Sequence, residues 1–257
     1  MVATRCPKCA TPGVFAAEDL DEVGRFVRCA RCGTAWLARK FPGDLSALAA
    51  ESSLAGLEFI YAMPGSVGGS VWMNARCYSV SVSQVLDEVE YVDPEGKLAL
   101  RRTAAKDDGF AYKVSPFQSM RCLITRATFR LSPGIRAESV RAMEEHRADR
   151  ERKGHFRFPC AGSAFKNDPA FGEPTGMIVD ALGLRGFAVG GAAVADYHGN
   201  IVINRGGASA ADVLAVLRHV ERAAFEAHGF RLERELLLVG DWERNEDKVE
   251  DKGEDRG

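Results

Sequence analysis

The sequence predicts an α+β fold, and three observations carry that expectation. Helix and strand signals mix between residues 41 and 242 without the strict alternation of a parallel α/β sheet. One stretch sets Val213, Leu214, Val216, Leu217, Val220 and Phe225 on a single apolar helix face, between a capping Ser209 and a stop at Gly229. Several shorter apolar runs are bounded by Gly, Pro and Asp, as strands are.

The elements follow in order. Asp44 caps a short Ala/Leu helix running to about Ser52. Leu57 to Ala62 reads as a strand that ends in a glycine-rich turn, Pro64-Gly65-Ser66-Val67-Gly68-Gly69. Val85 to Val92 and Leu98 to Arg102 flank Asp93-Pro94-Glu95-Gly96, which makes a hairpin. Cys122 to Leu131 is a further strand. Glu138 to Lys153 is so heavily charged that it reads as a solvated helical connector. Ile201 to Asn204 and Glu235 to Val239 complete the strands. The last residues, 243–257, hold seven acids, four bases and one aliphatic side chain, Val249, too little to offset their ordering entropy.

Composition excludes some functions. The 257 residues are 46% hydrophobic and 27% charged with a net charge of −2, which gives no electrostatic footprint for a general nucleic-acid or membrane-surface binder. No apolar run reaches bilayer-spanning length, and Met1-Val2-Ala3-Thr4-Arg5-Cys6 lacks the apolar core of a signal peptide, so a cytoplasmic protein is expected. Four of the seven cysteines form two pairs, Cys6-x-x-Cys9 and Cys29-x-x-Cys32, nineteen residues apart. Two such knuckles supply four thiolates for a tetrahedral zinc, and a piece this small needs such a staple. A zinc ribbon over residues 1–40 is therefore expected. Its seven basic and four acidic residues are nearly balanced by the charge of a thiolate-bound Zn²⁺, which favours a structural or protein-contact role over nucleic-acid binding. Cys77, Cys122 and Cys160 read as small buried side chains or inert thiols.

Three segments carry chemistry. The first joins the glycine turn to Met73-Asn74-Ala75; closely spaced glycines let backbone N–H groups approach a pyrophosphate or flavin ring. The second is Cys160-Ala161-Gly162-Ser163-Ala164-Phe165-Lys166-Asn167. The third runs from Gly190-Gly191-Ala192 through His198, Asn200 and Asn204 to Leu232-Glu233-Arg234-Glu235. Ser163 alone in a glycine turn reads rather as a helix cap or a loop bend, and His198 as a hydrogen-bonded surface histidine.

In order and spacing these segments resemble the UDP-N-acetylenolpyruvoylglucosamine reductase family, from about Leu54 to Gly240. The resemblance implies a partial FAD-binding domain of the PCMH/VAO-like type over residues 41–157 and a substrate-binding α+β domain over 158–242. It implies FAD as cofactor, NADPH as reductant and a UDP-sugar as substrate. By carry-over, Ser163 is the proton donor, Glu235 polarises the substrate and Lys113 stabilises the enolate. Pro64, Gly65, Ser66, Gly68, Gly69 and Asn74 fall on the flavin-site positions. Tyr112, Lys153, Lys166 and Asn167 fall on the substrate positions. The sequence departs from the family pattern in three places. Lys113, in Tyr112-Lys113-Val114-Ser115-Pro116-Phe117, stands where the family has arginine, so the charge remains but the bidentate fork is lost. Arg76-Cys77-Tyr78-Ser79 replaces a Gly-Ala-Tyr-Gly run. The cysteine-rich piece stands where the family carries its first flavin-binding half, so weakened FAD binding and an apolar face covered by the ribbon or by a protein partner are expected. The competing reading is a non-catalytic relic that binds UDP-sugar or docks a partner. A third is a chain that does not fold stably.

Overall fold

The structure, a computed structural model, describes residues 42–102, 109–240 and 242, together with the backbone of four N-terminal strands; within these ranges side chains are described from residue 45 onward, that of residue 102 excepted. The chain divides into two compact units, residues 1–149 and 150–257. The strands of the N-terminal piece are β1 (Val2–Arg5), β2 (Pro12–Phe15), β3 (Arg25–Arg28) and β4 (Ala35–Ala38). β1 pairs antiparallel with β2 and β3 with β4. The zinc ligands expected at Cys6, Cys9, Cys29 and Cys32 lie outside the described residues, as does the charged C-terminal tail.

The rest of the first unit runs α1 (Pro42–Glu51), β5 (Leu54–Ala55), α2 (Val67–Trp72), β6 (Arg76–Cys77), β7 (Val80–Ser81), β8 (Leu86–Val92), β9 (Leu98–Arg102), β10 (Leu123–Phe129), β11 (Ser132–Pro133) and all but the last three residues of α3 (Arg136–Arg152). α1 begins at Pro42, not after Asp44. Proline has no N–H to lose, and its fixed φ suits a helix's first position. β8 is the centre of an antiparallel sheet of order β10-β8-β9. The hairpin has Val92 opposite Leu98, with Gly96 at φ 81 in its turn. Inward residues Leu86 and Val89 join Leu57, Phe59, Ile60, Val71, Val82 and Phe117 in one core. On the outer face Leu98, Leu100 and Leu123 stay exposed.

Two expectations fail in this unit. Leu57 to Ala62 is not a strand: Glu58–Ile60 is a 3₁₀ turn that buries Phe59 and Ile60. A short apolar run reports burial, and periodicity cannot separate a buried strand from a buried turn. α3 is not a free connector either. Ser139 Oγ donates to Glu58 Oε1 at 2.6 Å, His146 Nδ1 lies 3.0 Å from the Glu58 carbonyl, and Tyr78 stacks on His146 at 3.9 Å. Tyr78 Oη also donates to the His146 carbonyl and to Asp149, so the helix is tied to the unit by polar contacts its composition conceals.

The second unit contains β12 (Cys160–Ser163), α4 (Thr175–Ala181), β13 (Ala188–Val189), β14 (Ala192–Ala195), β15 (His198–Asn204) and α5 (Ala210–His228). Its sheet has the order β12-β15-β14-β13, antiparallel throughout. Alternation sorts the strands by face. Val194 and Val202 pack with Val216, Leu217, Val220 and Phe165, whereas Ala193, Ala195, Ile201 and Ile203 form the opposite cluster. α5 has the expected ends: Ser209 Oγ accepts the Asp212 N–H at 3.1 Å, Asp212 Oδ2 accepts the Ser209 N–H at 2.9 Å, and Gly229 closes the helix at φ 76. Glu235 to Val239 is not a strand. A single isolated bridge, Arg234 with Phe165, lies just before the segment, and Leu237 and Val239 are exposed beyond it.

Candidate active site

The candidate residues fall in both units. In the second, the Ser163 motif owes its shape to a bulge. Cys160 pairs with Ile203 and Ser163 with Ile201, so β12 carries one residue more than its partner across that interval. Gly162 takes φ 87 there, a conformation costly to any residue with a Cβ, and no atom lies within 4 Å of where a Cβ would stand. Backbone conformation, not space, demands glycine. The bulge re-aims Ser163 at the end of the paired strand.

Beyond Ser163 nearly every backbone group is accounted for. The Ala164 N–H donates to the Asn200 carbonyl at 2.9 Å, and the Ala164 carbonyl accepts the Glu235 N–H at 2.9 Å. Phe165 is gripped by the Asn200 side chain on both of its polar groups. The Lys166 N–H donates to the Glu233 carbonyl at 2.8 Å, and the Lys166 carbonyl accepts from Thr175 Oγ1 at 2.8 Å. Asn167 Oδ1 accepts the Thr175 N–H at 3.0 Å, which caps α4. The Ala164–Glu235 bond thus brings Glu235, about 70 residues further along the sequence, beside the residue that follows Ser163. Ser163 and Glu235 are both half-buried. Lys166 Nζ lies 2.5 Å from Glu233 Oε1, a pair whose acid is 72% exposed and which therefore contributes about 0–1 kcal/mol, so the lysine can change partners. Lys153, exposed, follows the end of α3, near enough to His198 to act on its charge.

In the first unit the glycine turn feeds α2. Ser66 Oγ accepts the Gly69 N–H at 3.1 Å, so this side chain is committed to capping. Pro64, Gly65 and Gly69 are exposed, and Gly65 needs its φ of 122. Asn74 is buried and also committed: Nδ2 donates to the Ala111 carbonyl at 2.7 Å, and Oδ1 accepts the Ser83 N–H at 3.0 Å. It thereby holds the turn that presents Tyr112 and Lys113. Ala111 and Val114 exchange both backbone bonds at 3.1 Å, with Tyr112 and Lys113 at the tip and Lys113 at φ 57. Ser115 Oγ donates to the Trp72 carbonyl at 2.5 Å and Phe117 is fully buried, so the second half of this motif is an anchor. Arg76 lies 5.9 Å over the Tyr112 ring.

Sequence reasoning placed Asn200 and Arg234 in the third segment without giving either a role, and it missed Thr175 and Glu221; the Arg234–Glu221 pair (2.5 and 2.6 Å) ties the Leu232-Glu233-Arg234-Glu235 segment to α5. The bond to Glu221 holds the Arg234 guanidinium above its usual value. Alternation around buried Leu232 is the one local signal for this pair. His198 is a half-buried acceptor for the Asn200 N–H at 3.1 Å, and burial pushes its pKa down. Of the three lone cysteines, Cys77 and Cys122 are half-buried and Cys160 is exposed, against expectation, because it sits on the edge strand β12. Among the described residues no group of three or more His, Cys, Asp or Glu could hold a metal, and no helix is long and apolar enough to cross a membrane.

This fold and motif define the class first: residues 154–239 match the family model described as the C-terminal domain of UDP-N-acetylenolpyruvoylglucosamine reductase. A reductase of that name from Treponema denticola is 42% identical over 208 residues, covering 77% of this chain and 64% of that one. One from Treponema pallidum is 38% identical, covering 77% and 67%. The crystal structure of the enzyme from Thermus caldophilus superposes with a TM-score of 0.64 at 30% identity, covering 78% of this chain and 70% of that one. The chain belongs to the UDP-N-acetylenolpyruvoylglucosamine reductase family. It spans just under two thirds of the length of the first of these curated relatives.

Proposed function

We propose that the chain performs the reaction for which its relatives are named, reducing UDP-N-acetylenolpyruvoylglucosamine to UDP-N-acetylmuramate, with FAD bound to it and NADPH as reductant. The observation that supports this reading is the backbone bond from Glu235 to Ala164, the clamped residue next to Ser163.

The residues present fit a flavin. Pro64, Gly65 and Gly69 leave an exposed backbone edge, and the Val67 and Gly68 N–H groups, at the start of α2, are reached by no intrahelical carbonyl. Ser66 and Asn74 shape this edge and the neighbouring Lys113 turn through their side chains. Bound FAD supplies the two-electron reduction of the enolpyruvyl double bond. The chain's own residues manage the charge that follows. Lys113 sets a cation beside the substrate carboxylate, which favours the enolate. Ser163 gives its hydroxyl proton to the carbon next to that carboxylate. An alcohol is a weak acid, and it is matched here to a strongly basic carbon. Glu235 polarises the substrate, while Lys153, Lys166, Asn167 and Tyr112 bind its phosphates and hydroxyls.

Titration of the full chain with FAD, followed by flavin absorbance, tests the reading. Saturable binding, followed by NADPH consumption that depends on the enolpyruvyl sugar, is expected. A chain that leaves FAD free in solution contradicts it.

A further inference from the structure

We propose that Asn200 is the positioning residue that fixes Ser163 for proton delivery, an inference that rests on the reductase reading above. Asn200 is 3% exposed. Its Oδ1 accepts the Phe165 N–H at 2.9 Å and its Nδ2 donates to the Phe165 carbonyl at 2.8 Å. Its own carbonyl accepts the Ala164 N–H at 2.9 Å. The amide thus acts as a peptide group of a neighbouring strand, extending the ladder two residues past the last β12–β15 pair, Ser163 with Ile201. That extension is needed because the bulge at Gly162 breaks the regular register just before Ser163.

The orientation of the amide is also fixed. Oδ1 must face an N–H and Nδ2 a carbonyl, so only one flip state satisfies Phe165. The Asn200 N–H donates to His198 Nδ1 at 3.1 Å, which holds the backbone of the clamp in place and keeps that ring nitrogen unprotonated. On its other side the clamped segment bonds to Glu235 through the Ala164 carbonyl. Asn200 therefore sets the separation of Ser163 from Glu235 without itself lying at the reacting atoms.

Asn200→Asp and Asn200→Ala test the proposal. An ionised aspartate can accept from the Phe165 N–H but faces the Phe165 carbonyl with no donor; protonated, it restores one donor and one acceptor. With FAD-loaded protein in stopped flow, flavin reduction by NADPH stays at the wild-type rate in both variants. Reduction of the enolpyruvyl sugar slows about 100-fold, the cost of a misplacement near 1 Å. For Asn200→Asp the loss is recovered as pH falls; for Asn200→Ala it is not. Equal slowing of both half-reactions, or of neither, overturns the proposal, as does an absence of pH recovery in Asn200→Asp. Amide hydrogen exchange in the unloaded chain judges the clamp separately: Phe165 should lose protection in Asn200→Ala, and wild-type protection there overturns it. If wild type binds FAD yet reduces no enolpyruvyl sugar, the reductase reading has failed and the exchange result alone decides the clamp.

Discussion

Substituting Gly199 by alanine should damage the second unit more than any open glycine would. An added Cβ would stand 2.4 Å from Asp180 Oδ1, 2.5 Å from the Gly176 carbonyl and 3.0 Å from Val179 Cβ. Comfortable contact starts at about 3.5 Å, so α4 must retreat from β15 by roughly 1 Å. Two of the three obstacles give poorly: one is backbone, and Asp180 is held by Arg185 Nε at 2.5 Å. Overpacking costs about 1–3 kcal/mol, and with two obstacles that give poorly the upper end, about 3 kcal/mol, is expected. Gly172 is the control, with φ 81 and nothing within 4 Å; its alanine variant pays only for the left-handed backbone, about 1 kcal/mol. Urea unfolding followed by circular dichroism measures both. A Gly199→Ala chain no less stable than Gly172→Ala would refute the close approach of α4 to β15 at Gly199.

Three further outcomes follow from the same geometry. Lys113→Met should lower the rate of enolpyruvyl-sugar reduction by about 10²–10³-fold while Lys113→Arg stays within about tenfold of wild type, because charge at the turn tip matters more than the fork; a fully active Lys113→Met would remove Lys113 from the mechanism. Burial depresses the pKa of His198 below 6.5, and that of His219 as well, so the unfolded chain binds more protons between the folded and unfolded values. Stability should therefore be lost as pH falls below 6.5, with a shallower loss in His198→Gln; thermal melts across that range would contradict this by staying flat. Metal analysis should find about one Zn²⁺ per chain, lost in Cys32→Ser, if the CxxC pairs between β1 and β2 and between β3 and β4 close one tetrahedral site; zinc content unchanged by that substitution would remove Cys32 from the ligand set.

Legibility followed the range of the forces involved. The β8–β9 hairpin and α5 were readable because their signals are local, in Asp93-Pro94-Glu95-Gly96, Ser209 and Gly229. The 3₁₀ turn at Glu58–Ile60 was not readable: its apolar residues mark burial and leave the backbone undetermined. The polar ties of α3 depend on Glu58 and Tyr78, far away in sequence. At the site, the Ser163 motif could be recognised but not explained. Its glycine serves a bulge, and its phenylalanine backbone is held by an asparagine 35 residues on, a pairing that no pattern within the motif reveals. Ser66 and Asn74, read as flavin contacts, have side chains engaged in capping and in holding the Lys113 turn, roles that arise only once the chain has folded.

The most direct measurement is a single turnover of FAD-loaded chain, reduced beforehand by NADPH, mixed with the enolpyruvyl sugar in D₂O. Wild type should place solvent deuterium at the product carbon bonded to the carboxylate, and Ser163→Ala, although still reduced by NADPH, should form product about 10²–10⁴-fold more slowly. A Ser163→Ala chain that yields deuterated product at the wild-type rate would contradict the account.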